Sequence, residues 1–273
     1  MRVATWNINS VRTRIDRVVA ALERHDIDVL ALQETKCKNE QFPFEPLEAA
    51  GYKVAHFGLN QWNGVALISR VGLEHVRTEF PYQPGFAKDP AKPQNIEARA
   101  VGAVCAGVEM WSLYVPNGRE ITDRHYQYKL RWLSAFADYI RYREHNPFLC
   151  MGDFNIAPKD DNVWDPTFFA GKTHITEPER QAFAALMDAG LRVASPQQGY
   201  SYWDYTAGRW PNNEGMLIDF QLTTPDLPVE HAWIDVAERE GKGASDHTLV
   251  IVDYDWPAPR QEITKEQPAL FEA

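Results

Sequence analysis

Phe148-Leu149-Cys150-Met151-Gly152-Asp153-Phe154-Asn155 is an apolar run that stops at a glycine and then presents an acid and an amide. Four uncharged apolar residues in succession read as a fully buried strand. Gly152 marks where the backbone leaves it or where another part of the molecule comes close. If the extended geometry continues, Asp153 and Asn155 project to one side while Phe154 returns to the core. A carboxylate and an amide then stand together at the mouth of a sheet. The octapeptide alone fits a strand-ending Asp-x-Asn turn equally well, so its flanks decide.

Upstream, residues 123 to 143 carry the longest helical pattern, with Tyr126, Leu130, Leu133, Ala137 and Ile140 on one stripe. Before it, strands at 98 to 105 and 108 to 115 form a hairpin through Ala106-Gly107, the second ending in Tyr114-Val115-Pro116-Asn117-Gly118. Downstream, residues 157 to 177 are irregular and too long for a neutral connection. A helix over 178 to 189 and the aromatic segment Tyr200-Ser201-Tyr202-Trp203-Asp204-Tyr205 follow. Near the start, a strand over Arg2 to Trp6, with Val3 and Ala4 inward, exits into Asn7-Ile8-Asn9-Ser10, and a helix follows with Ile15, Val18, Val19 and Leu22 on one face. The strand from Asp28 to Leu32 delivers Gln33 and Glu34. Strands over 52 to 57 and 64 to 69 come next, then a proline-rich surface loop over 81 to 95. Late in the chain, Ile218-Asp219 lies inside an apolar run, and Ser245-Asp246-His247 precedes the strand from Leu249 to Val252. Helices alternating with strands, several of them antiparallel, predict an α/β sandwich with sheets packed between helix layers.

The chain has 273 residues, 44% of them hydrophobic, and nine tryptophans. That is enough for a substantial core, and no apolar run approaches the ~20 residues of a membrane span. A core strand begins almost at residue 1, so no signal peptide is expected. Cys37, Cys105 and Cys150 are widely spaced without a CxxC pair, which predicts reduced thiols in a cytoplasmic protein and argues against zinc. A net charge of -10 counts against an extensive nucleic-acid surface but permits a small one. Basic clusters at Arg12, Arg14 and Arg17, at Lys36 and Lys38, and at Arg119, Arg124, Lys129 and Arg131 are either that surface or solubility charge.

Each strand end has a plain reading taken singly: Asn7 as a helix cap, Glu34 as a surface acid, His247 as a half-buried histidine. Asp219 is harder to dismiss, because a carboxylate in a buried strand costs several kcal/mol unless paired. His247 is the obvious partner. The collected set, Asn7, Asn9, Glu34, Tyr114, Asp153, Asn155, Asp219, Asp246 and His247, is oxygen-rich with one imidazole and suits magnesium or manganese. Hydrolysis of a phosphate ester needs this inventory: a cation against phosphoryl charge, a base for water and a donor for the transition state.

Eight segments in order carry a resemblance: Thr5-Trp6-Asn7-Ile8-Asn9-Ser10-Val11-Arg12, Leu32-Gln33-Glu34-Thr35-Lys36, Trp62-Asn63-Gly64-Val65-Ala66, Tyr114-Val115-Pro116-Asn117-Gly118, Gly152-Asp153-Phe154-Asn155-Ile156-Ala157, Trp203-Asp204-Tyr205, Ile218-Asp219 and Ser245-Asp246-His247. They resemble the exonuclease III family of DNA repair nucleases, within the endonuclease/exonuclease/phosphatase superfamily. The resemblance implies a four-layer α/β sandwich, two mixed β-sheets packed together and flanked by helices, as one catalytic domain over 1–256. It implies Glu34 as main metal ligand for Mg2+ or Mn2+, assisted by Asn7, Asn9 and Asp246. Asp153 resembles the residue that activates water, Asn155 and Tyr114 resemble phosphate contacts, and His247, oriented by Asp219, resembles the group that polarises the scissile phosphate. Substrate contacts are implied at Asn117, Arg119, Lys129, His174, Tyr202 and Trp203, with core packing the competing role for the two aromatics. Implied partners are duplex DNA with abasic sites or blocked 3′ ends, met by a monomer near the bacterial nucleoid.

Three departures from the family pattern matter. Asn9 stands where some relatives have aspartate, and Leu217 replaces an arginine. His174 occupies a position where the family carries a small residue lining the pocket for an extrahelical abasic sugar. The expected activities are therefore 3′-5′ exonuclease and 3′-phosphatase or 3′-phosphodiesterase, with abasic incision reduced; dominant abasic incision is the alternative. Remoter alternatives are inositol phosphate or sphingomyelin hydrolysis, and a non-catalytic scaffold. In the tail 257–273, Gln267, Leu270 and Phe271 resemble the peptide by which bacterial repair proteins bind the sliding clamp, or else pack on the domain.

Overall fold

The computed structural model describes residues 1–144 and 146–259. Gln267, Leu270 and Phe271, expected to bind a clamp, lie outside the described residues. The chain runs β1 (Arg2–Asn7), α1 (Ile15–Arg24), β2 (Val29–Gln33), α2 (Phe44–Ala49), β3 (Lys53–Phe57), β4 (Val65–Ser69), β5 (Glu74–Arg77), β6 (Ala100–Cys105), β7 (Val108–Tyr114) and α3 (Arg124–Tyr142). It continues through β8 (Phe148–Asp153), α4 (Pro166–Phe169), α5 (Glu177–Asp188), β9 (Arg192–Val193), β10 (Asp219–Thr223), β11 (Val229–Asp235) and β12 (Leu249–Tyr254).

Two six-stranded sheets result, ordered β11-β12-β1-β2-β4-β3 and β5-β6-β7-β8-β10-β9. Each is mixed, with one parallel pair, β1 with β2 and β7 with β8, among antiparallel neighbours. Val3, Val29, Ala31, Leu67, Met110, Leu149, Met151 and Val252 pack between the sheets. On the far side of the first sheet Ala4, Trp6, Leu30 and Leu32 meet Val18 and Leu22 of α1. On the far side of the second, Cys150, Phe154 and Phe220 meet Trp132, Phe136 and Phe183 of α3 and α5. This is the four-layer sandwich expected of the sequence. Trp132 is fully buried, stacks on Phe136 and meets Phe80 edge to face; its truncation to alanine costs about 3–5 kcal/mol.

Strand alternation explains where chemistry collects. In β1 the inter-sheet face reads Val3, Thr5, Asn7, while Ala4 turns to the helix layer, so Val3 and Ala4 face opposite ways rather than both toward one core. In β8 that face reads Leu149, Met151, Asp153, and register sets Asp219 opposite Asp153 with Tyr114 on the other side. Apolar pairs therefore give way to polar ones along one rim of the sandwich. Gln33 marks the transition, its Nε2 donating to Thr5 Oγ1 in its own sheet and to Ser112 Oγ in the facing one. Gly152 is required by close approach: a Cβ there would meet the Leu113 carbonyl oxygen at 1.9 Å. The hairpin between β6 and β7 turns through Ala106 and Gly107, both at positive φ as a tight two-residue turn demands.

Candidate active site

The strand-end residues converge at that rim. Asn7 Nδ2 stands 3.0 Å from Glu34 Oε1 and 3.0 Å from Asp153 Oδ2, so one amide donates to both carboxylates. Asp153 Oδ2 is 3.8 Å from His247 Nε2, and His247 Nδ1 is 2.8 Å from Asp219 Oδ2. Ser201 Oγ donates to the same Asp219 oxygen at 2.6 Å. A line of contacts thus runs Glu34, Asn7, Asp153, His247, Asp219, Ser201, assembled from β1, β8, β10 and the loops leaving β2, preceding β10 and preceding β12. Asn9 Nδ2 donates to Asp246 Oδ1 at 2.9 Å. Past β8 the chain turns sharply: Asn155 has φ 51, and its N–H donates to Asp153 Oδ1 at 2.8 Å. The Asp-x-Asn turn is therefore what forms, and the extended pairing of the two side chains is not: β8 ends at Asp153, and the Asn155 side chain bonds Asn117 and the Val115 carbonyl instead.

Electrostatics divides these groups. Burial pulls the His247 imidazole down, but Asp219, Asp153 and Asp246 outweigh it and raise it to about 10, so it is a cation at neutral pH. Burial raises Asp153, with Asp219 and Glu34 adding to it against His247, to about 7. Burial would raise Glu34 too, yet the Lys36 ammonium and the Asn7 amide hold it below the usual carboxylate range. Tyr114 lies under the Arg99 guanidinium, and burial, then Glu34, pushes its hydroxyl well above its ordinary value.

Two places could take a cation. Asp153, Asp219 and His247 bring ligand atoms within 4.8 Å of one another, with the His247 imidazole already bound to Asp219 through Nδ1. At Glu34 the fit is better: Lys36 Nζ lies 2.7 Å from Glu34 Oε2 and 2.5 Å from Asn9 Oδ1. An ammonium thus occupies a cradle of carboxylate and amide oxygens, the donor set of a hard divalent ion.

Beside this line lies a cavity of about 610 Å³, walled by Trp164, Phe168, Tyr202 and His174, with Arg119, Lys172 and Arg209 supplying positive charge. His174 Nε2 is 3.2 Å from Asn155 Oδ1, which also accepts from Asn117 Nδ2 at 2.8 Å. Burial, then the Lys129 ammonium, lowers His174 to about 4, so the ring is neutral. Tyr202 lines the cavity with its ring 4.7 Å from that of His247.

The structure corrects two expected substrate contacts. Lys129 is fully buried and paired with Glu179, with no surface left for DNA. Trp203 is 1% exposed, donates to Asn213 Oδ1 and packs edge to face on Trp210, so its ring serves the core. Three residues escaped the sequence reading. Ser201 was hidden in an aromatic segment and Lys36 in a basic cluster. Glu179 was signalled only by the spacing Thr176-x-x-Glu179, a capping box that the structure bears out.

A two-sheet sandwich whose rim links carboxylates, amides and a carboxylate-held imidazolium defines a class, the hydrolytic enzymes of phosphate esters. The endonuclease/exonuclease/phosphatase family matches residues 4–247. Exodeoxyribonuclease III of Haemophilus influenzae is 28% identical over 276 residues, covering 93% of this chain and 100% of that one. Among solved structures, the 3′ phosphatase NExo from Neisseria, bound to a product DNA hairpin, superposes with a TM-score of 0.86 at 30% identity, covering 94% of this chain and 100% of that one. An AP endonuclease from Archaeoglobus fulgidus does so at 0.84 and 28%, covering 93% and 99%. The chain belongs to the endonuclease/exonuclease/phosphatase family, within its exonuclease III group of nucleases and phosphatases. Among the described residues no helix is long and apolar enough to cross a membrane.

Proposed function

We propose that this chain is a divalent-metal-dependent DNA repair hydrolase that works mainly at 3′ ends, removing terminal phosphates and phosphodiesters and resecting 3′ to 5′. The observation that carries this reading is His174: its imidazole narrows the cavity against Asn155. A terminal phosphate fits in front of such a wall more readily than a flipped abasic sugar, whose extrusion already costs a few kcal/mol. The cavity beyond the ring, about 610 Å³, favours abasic-site incision as the second activity.

Glu34, with Asn7, Asn9 and Asp246, would hold Mg2+ or Mn2+, which when bound supplies positive charge against the phosphoryl oxygens. Asp153, raised to about 7, is poised to take a proton from the attacking water near neutral pH. His247, kept protonated by Asp219, faces the same space and donates to a phosphoryl oxygen as charge builds there. Tyr114 remains a neutral phenol and can also donate. Asn155 and Asn117 form the edge of the phosphate cradle, with Arg119 and Tyr202 on the cavity side.

The test is a side-by-side assay of three DNA duplexes in Mg2+: 3′-phosphate, tetrahydrofuran abasic analogue and undamaged recessed end. Phosphate release faster than abasic incision is expected, and EDTA should stop both. Faster incision would hand the assignment to the second reading. Inactivity on all three would end it.

A further inference from the structure

The Lys129 ammonium and the Glu179 carboxylate meet in the interior between α3 and the start of α5, both side chains fully buried. The pair reaches further than itself. Lys129 Nζ donates to the Asn155 carbonyl at 2.6 Å and the Asn117 carbonyl at 3.3 Å. Glu179 Oε1 accepts from Thr173 Oγ1 at 2.6 Å and from the His174 N–H at 3.0 Å. Its Oε2 accepts from the Thr176 hydroxyl at 2.7 Å and N–H at 3.1 Å.

Two of the residues held this way have left-handed backbone without being glycine: Asn155 at φ 51 and His174 at φ 85. Such conformations persist only where the surroundings enforce them. Here each is tied through its own main chain to one member of a single ion pair. These are also the residues whose side chains meet at the cavity wall.

We propose that Lys129 and Glu179 form a positioning pair that holds Asn155, Asn117 and His174 in register, and so determines which damaged end the site accepts. The pair touches no substrate; it acts through the backbone of residues that face it. Three of the groups that satisfy the buried charges belong to Asn155, Asn117 and His174, whose side chains also bond one another where His174 lines the cavity. The inference rests on the proposed hydrolysis at 3′ ends and names what controls its selectivity.

The test compares wild type with Lys129→Met/Glu179→Gln, which leaves no unpaired charge in the interior. At matched folded fraction, the ratio of 3′-phosphate release to abasic incision should fall about fivefold or more, mostly through kcat for phosphate release, with KM within about twofold. The His174 imidazole NMR resonances should shift. Should the double variant fail to fold, Thr173→Val removes one hydrogen bond to the same carboxylate and should lower the ratio, while Thr173→Ser keeps the hydroxyl and restores it. A wild-type ratio in folded variants, with His174 resonances unmoved, overturns the proposal. Wild-type inactivity would instead overturn the functional reading, and the resonances would still report on the positioning.

Discussion

His174 Nε2 lies 3.2 Å from Asn155 Oδ1, so the imidazole closes the cavity against the turn that carries Asp153. At φ 85 the backbone there suits glycine better than histidine. His174→Gly should therefore fold at least as stably as wild type while opening the wall. Abasic incision should rise about tenfold, equivalent to ~1.4 kcal/mol, with phosphate release unchanged or lower. Incision kinetics on a tetrahydrofuran duplex check this, and no gain in a well-folded variant removes the steric argument.

Asp219 is opposite Asp153 in the β8–β10 register and binds His247 through the oxygen that also accepts from Ser201. Asp219→Asn removes the charge that keeps the imidazole protonated and offers it an amide in the same place. Phosphate release should drop by about 10²–10⁴-fold in kcat, the range seen when a histidine loses its orienting carboxylate. Ser201→Ala leaves the carboxylate, and its loss should be about tenfold or less, the scale of one hydrogen bond. Single-turnover rates distinguish the two, and equal losses would refute the ordering.

Much of this was legible because strand ends announce themselves. A four-residue apolar run before Gly152 placed β8, and a carboxylate in the buried run at Asp219 required a partner before any coordinates placed His247 beside it. The helical stripe through Tyr126 and Leu133 likewise predicted α3. Lys129 shares the buried face of α3 with Tyr126, Trp132, Leu133 and Phe136; its charge alone read as a surface contact, because the partner that permits its burial, Glu179, lies 50 positions away. Trp203 shows the same limit, since an aromatic beside a site reads alike whether its ring faces a ligand or Trp210. Asparagine and histidine adopt left-handed backbone more readily than most residues, yet neither residue type fixes it, so the positive φ at Asn155 and His174 was not legible.

Lys36 Nζ between Glu34 Oε2 and Asn9 Oδ1 marks the position a hard cation would compete for. Asn9→Asp adds a carboxylate oxygen where an amide oxygen now stands, and ligand charge strongly tunes the affinity of oxygen sites. Mn2+ affinity by titration calorimetry should tighten about tenfold, and thermal stability at fixed Mn2+ should rise accordingly. Glu34→Gln should weaken binding and abolish phosphate release. Unchanged Mn2+ affinity in both variants would move the cation away from this cradle.

Metal-free stability should depend on pH through three histidines of opposite sign. Burial lowers His56 to about 4, and burial with Lys129 lowers His174 to about 4. Below the ordinary histidine value of ~6.5 the unfolded chain takes up those protons and the folded one does not, so stability declines as pH falls from 6.5 toward 4. His247, raised to about 10, works the other way: its contribution is fully present below 6.5 and is lost as pH rises toward 10. Melting temperatures in EDTA should therefore peak near pH 6.5. Asp153, raised to about 7, opposes the acid limb, because the folded carboxyl takes up its proton before the unfolded one does; Glu34 and Glu179, held below the usual carboxylate range, add to it at its acid end, so variants are needed to separate the contributions. His56→Gln should flatten the acid limb alone, since His56 meets Thr35 and Phe42 and not the carboxylates, and His247→Gln should flatten the alkaline limb while also shifting Asp153, which its charge holds down. A His247→Gln curve parallel to wild type between pH 7 and 10 would mean that the imidazole is neutral, and the proposed proton donor to the phosphate would have to be sought elsewhere.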